Sequence, residues 1–101
     1  MNDDEIPVKI DRRLATLTLK FLADCRRTAD ELRSAVESGD AEVLRRISHS
    51  LMGTASSYGF DEMATLGSEI GRAARAGDVG ALRTLAARFD QYLARVRLVY
   101  D

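Results

Sequence analysis

Several things are scarce in this 101-residue chain. There is no tryptophan, one proline, one cysteine and one histidine. A lone cysteine, Cys25, cannot close an internal disulfide, and one cysteine with one histidine cannot make a structural zinc site. That usage fits a reducing compartment, so a cytoplasmic location is expected. Net charge is −1, from 15 basic and 16 acidic residues, which leaves no basic field of the kind nucleic-acid binding needs. No apolar run approaches a membrane span, and the acidic start MNDDEIPVKI lacks the apolar core of a signal peptide. A nucleic-acid or membrane partner is therefore not expected. A single histidine, with no nucleophile–base pairing at readable spacing, also argues against a metal enzyme or hydrolase.

What is present is helical. Alanine, leucine, arginine and glutamate dominate, and apolar residues recur at alternating spacings of three and four. The first stripe is Leu14, Leu17, Phe21, Cys25, Ala29, Leu32 and Val36, with Cys25 expected in the core. Gly39 ends that segment and Asp40 can cap the next. A second stripe runs Leu44, Ile47, Leu51, Ala55 and Tyr58, closed by Gly59. A third is Met63, Leu66, Ile70 and Ala74, ending at Gly77; a fourth takes Leu82, Leu85, Phe89, Leu93 and Val96. Short connections make neighbours antiparallel. The expected fold is an all-α, up-and-down four-helix bundle in one domain, with a bundle over 10–98 and an N-terminal arm or short helix over 1–9. Whether 10–38 is one helix or two, broken near Phe21, is left open. SGDAEVLRR at 38–46 is echoed by AGDVGALRT at 76–84. Shared turn chemistry accounts for the echo, and the position matching His49 in the second copy is Ala87.

Projected on a helix at about 100° per residue, the second stripe occupies one narrow sector and His49 falls nearly opposite it. Arg45, Met52, Gly53 and Ser56 share that outer half. His49 is thus expected on an exposed, rigid helix surface. Gly53 stands at i+4 from it, where glycine costs roughly 1 kcal/mol of helix stability relative to alanine. An outward glycine in a helix interior suggests room cleared for another surface to approach the imidazole.

Residues 49–59, HSLMGTASSYG, resemble the signature of histidine-containing phosphotransfer (HPt) domains, whose usual core is H-x-x-K-G followed six residues later by a glycine or small residue. The resemblance spans about residues 10–98, with the helix ending in Gly39-Asp40 before the motif and the third helix ending in Gly77-Asp78 after it. It implies that His49 carries a phosphoryl group, taken from a receiver-domain aspartate of a response regulator or hybrid kinase and passed to another receiver. It further implies a carrier without turnover of its own, acting as a monomer. No cofactor of its own is expected, the divalent ion residing on the receiver. The chemistry is reasonable, since a neutral imidazole is a competent nucleophile near neutral pH.

The chain departs from that pattern at Met52, which stands where the family has lysine. Either a nearby arginine supplies the missing charge, or transfer is impaired and the chain is a non-catalytic interaction module that binds a receiver or regulator. Arg45 at i−4 and Arg46 at i−3 are the first candidates for the charge, each one turn from His49. Arg72 or Arg75 on the third helix could also reach, and the sequence does not place them. Met52 could add to an apolar docking face, a role that suits a flexible thioether. Ser56 could offer a hydroxyl near the site. A sensor-kinase histidine helix fits poorly, because 101 residues hold no Gly-rich nucleotide loop.

Overall fold

The computed structural model describes residues 5–100. Four helices follow one another: α1 (Ala15–Ser38), α2 (Ala41–Ser50), α3 (Asp61–Ala76) and α4 (Val79–Arg95). α2 continues without a break into a π-helical turn, Leu51–Ala55, and one further short stretch of helix to Ser57. α1 packs on α2 and α4, and α3 packs on the same two, so the helices form a square bundle. Its centre is filled by Leu32, Ile47, Phe60, Met63, Leu66, Ile70 and Phe89, all essentially without exposed surface. Burying one such side chain contributes roughly 1.5–3 kcal/mol, so these residues account for much of the cohesion. Ion pairs such as Arg33–Asp90 and Arg83–Glu37 tie α1 to α4 across the exposed surface, where each contributes about 1 kcal/mol at most.

The helix ends follow from local chemistry. Gly39 and Gly77 take left-handed backbone conformations, φ 69° and 66°, which glycine adopts without a Cβ penalty. Each is followed by an aspartate whose carboxylate accepts from the helix it opens: Asp40 from the Val43 N–H at 3.2 Å, Asp78 from the Ala81 N–H at 3.0 Å. The repeated Gly-Asp is therefore a turn device used twice. α1 is a single helix, entered through one 3₁₀ turn at Arg12–Leu14.

Two features differ from the expectation. The lead-in contains a strand, β1 (Ile6–Ile10), and the fourth helix stops at Arg95 where the chain extends into β2 (Val96–Tyr100). The two strands pair in parallel, Ile6 opposite Val96 through Ile10 opposite Tyr100. Both segments are rich in β-branched residues, and the inward side chains Ile6, Val8, Val96 and Leu98 pack on the core. Leu14 and Leu17, expected on the buried stripe, are 36% and 53% exposed. The buried face of α1 opens on Thr18 and Leu22 before Cys25, one position around the helix from Leu17 and Phe21, and Phe21 instead stacks on Tyr58 at 5.2 Å.

Candidate functional site

α2 positions His49. The capped start at Asp40 sets the helix phase, and burial of Leu44, Ile47, Leu51 and Ala55 against the core turns the opposite face outward. His49 is exposed on that outer face. Its neighbour Ser48 points inward: it is buried, and its Oγ donates to the Gly67 carbonyl of α3 at 2.7 Å. This bond locks the rotation of α2 against α3 immediately beside the histidine.

The lock depends on two glycines that the sequence reading passed over. A Cβ on Gly67 would lie 2.8 Å from Leu51 Cβ and 3.1 Å from both the Met52 amide nitrogen and the Ser48 carbonyl oxygen. A Cβ on Gly71 would lie 2.4 Å from Ser48 Oγ. Neither space exists, so Gly67 and Gly71, four apart on one face of α3, are what let the α2 backbone come so close. The signal was legible as a small-x-x-x-small spacing beside the third apolar stripe. Opposite Gly67 the α2 helix widens into the π turn at Leu51–Ala55, an irregularity frequent near functional sites.

Along this contact runs an open groove of about 470 Å³, lined by Glu42, Arg45, Ser48 and His49 from α2, Met52 from the π turn that continues it, and Gly71, Ala74 and Arg75 from α3. Of the residues singled out from sequence, the structure brings Arg45, Met52 and His49 together. Arg46 goes elsewhere: its guanidinium pairs with Glu31 of α1, around the helix from the groove. The expectation that it faces the imidazole fails because a carboxylate on the neighbouring helix claims it. Arg75 joins the groove and Arg72 does not; Arg72 lines the α3–α4 surface. Gly53 is exposed, with no atom within 4 Å of where a Cβ would sit, and so leaves open space one turn past His49. Ser56 is exposed beyond the π turn and outside the groove.

Charge in the groove is cationic on balance. Arg45 and Arg75 have no carboxylate within ion-pair distance among the described residues, whereas Arg33, Arg46, Arg83 and Arg88 each do. Glu42 is the one carboxylate lining the same groove. Among the described residues no three His, Cys, Asp or Glu side chains cluster as metal ligands, and no helix is long and apolar enough to cross a membrane. The buried ionisable groups lie elsewhere. Burial pushes the Cys25 thiol and the Tyr92 hydroxyl each up to about 12, and the Cys25 sulfur rests 3.7 Å from that of Met63 inside the core.

An exposed imidazole on a rigid helix, backed by a cationic groove, is suited to accepting an anionic group from another macromolecule rather than enclosing a small substrate. No curated protein and no solved structure matches the chain significantly. A family model, that of the Hpt domain, matches residues 17–98. Members of that family are phosphocarriers rather than enzymes in their own right, and they work with receiver domains in two-component signalling. With four-fifths of its length matched and the four-helix architecture in place, this chain belongs to the Hpt domain family.

Proposed function

We propose that this protein is a phosphorelay carrier whose His49 takes a phosphoryl group from a receiver aspartate and delivers it to a second receiver, as a cytoplasmic monomer. The observation that carries this reading is the chain's one imidazole, exposed mid-helix and held in register by the Ser48–Gly67 bond behind it. The lone pair of an imidazole nitrogen attacks the phosphorus of the aspartyl phosphate. An N–P bond forms, the P–O bond to the carboxylate breaks, and the carboxylate leaves with the electron pair. The proton on the other ring nitrogen passes to solvent, and the reverse sequence discharges the group onto the next aspartate. The divalent ion belongs to the receiver in each half-reaction.

Rigidity supports this role. A donor domain must place its phosphorus within reach of a nitrogen it does not enclose, and positioning of that kind is worth large rate factors. The open space at Gly53 lets a broad surface approach. Met52 motivates the second reading, a receiver-binding module that transfers poorly. The test is label transfer from a phosphorylated receiver to the wild-type chain and to His49→Gln. Acid-labile, base-stable phosphate is expected on the wild type only. Label on His49→Gln would sink the assignment, and a wild type that binds receivers without taking up label would favour the module.

A further inference from the structure

The geometry points to Arg75 as the residue that supplies the charge missing at Met52, reaching from α3 across the bare surface of Gly71 to hold the phosphoryl group on His49, with Arg45 as the flanking cation on α2. This assignment rests on His49 being the phosphorylated atom's host. Arg75 Nη1 lies 3.4 Å from the position a Gly71 Cβ would take, and Ser48 Oγ lies 2.4 Å from that same point. The guanidinium therefore folds back over Gly71 against the residue that precedes His49, instead of extending into solvent from the last turn of α3. Gly71 makes this path possible, since any side chain there would occupy it. Arg75 has no carboxylate partner among the described residues to draw it away, and it lines the groove with Arg45, His49 and Met52. Glu42 of α2 is the opposing charge in that groove. The alternative compensator, Arg46, is committed to Glu31 on α1.

A guanidinium is well matched to the task. It is planar, permanently charged, and presents paired N–H donors that fit two phosphoryl oxygens. A phosphoryl group carries roughly two negative charges near neutral pH. Placed beside it, a cation favours the dianion, speeds its formation and slows its hydrolytic loss. Arg75 is a positioning and charge-stabilising group; the nucleophile remains His49.

The experiment phosphorylates the full chain chemically with phosphoramidate, in which imidazole nitrogen attacks phosphorus and ammonia leaves with the electron pair, so no receiver is needed. The second ionisation of the phosphoryl group is then followed by ³¹P NMR in wild type, Arg75→Gln, Arg75→Lys and Arg72→Gln. In Arg75→Gln that ionisation should move up by about one pH unit, a tenfold change in the equilibrium. Arg75→Lys should restore most of the shift and Arg72→Gln should leave it unchanged, with thermal unfolding the same throughout. In parallel, transfer from a phosphorylated receiver should slow about ten- to a hundredfold in Arg75→Gln, the worth of one hydrogen bond to a charged group. Adding Met52→Lys to Arg75→Gln should recover it. An unshifted phosphoryl ionisation in Arg75→Gln overturns the assignment. A normal shift in a chain that accepts nothing from any receiver overturns the relay reading and leaves the arginine assignment standing.

Discussion

Gly67→Ala tests whether close helix contact, and not glycine flexibility, is what the α3 glycines supply. On helix propensity alone the substitution should stabilise α3 by about 1 kcal/mol. The tertiary contact opposes this. The new Cβ would stand 2.8 Å from Leu51 Cβ and 3.1 Å from two backbone atoms of α2, the Met52 nitrogen and the Ser48 oxygen. Two of these three are main chain and cannot rotate away, so α2 must shift outward. Overpacking of this kind costs about 1–3 kcal/mol, and stretching the Ser48–Gly67 bond removes ~1 kcal/mol more. The net is a destabilisation of about 1–3 kcal/mol, or a fall in Tm of about 5–25 °C for a domain of this size. Thermal and urea unfolding followed by circular dichroism measure it. Gly53→Ala is the internal control, because its Cβ meets nothing within 4 Å and should gain up to ~1 kcal/mol. If Gly67→Ala proves as stable as the wild type, α2 does not pack where the structure puts it, and the account of how His49 is held fails.

In an otherwise unaltered chain, Met52→Lys should change the rate of phosphoryl uptake by less than about threefold, since a cation already faces the site and a second exposed one adds little. A gain of a hundredfold in the receiver assay would instead mark a carrier that lost its charge and never replaced it. Cys25 should resist alkylation in the native state and react at the rate of unfolding, because the thiol is 2% exposed; fast labelling of folded protein would contradict its place in the core. The same burial predicts the alkaline limb of stability. The Cys25 and Tyr92 protons leave the unfolded chain near their ordinary values of 9 and 10 but the folded chain only at about 12. Their contribution is complete below pH 9 and is lost as pH rises toward 12. Urea midpoints that stay flat from pH 8 to 11 would refute it.

What could be read from the chain alone was whatever depends on residues within one or two turns of each other. The 3.6-residue stripes placed the helices, Gly39-Asp40 and Gly77-Asp78 placed the turns, and the opposition of His49 to Leu44, Ile47 and Leu51 placed the imidazole on the surface. Each is a local rule of backbone geometry, and the resemblance of residues 49–59 to the family motif is local as well. Contacts between distant segments were decided only by the packed fold. Ile6–Ile10 and Val96–Tyr100 become strands because each finds the other's backbone and a shared apolar face, which neither segment shows alone. Arg46 and Arg75 look alike in sequence, yet one meets Glu31 on α1 and the other lies over Gly71 beside Ser48. A long cationic side chain has many rotamers of similar energy, so its direction is chosen by the carboxylate or the gap that the neighbouring helix offers. The exposure of His49 was legible because a helix face determines it; the placement of Arg75 in the same groove was not, because only the meeting of two helices determines it.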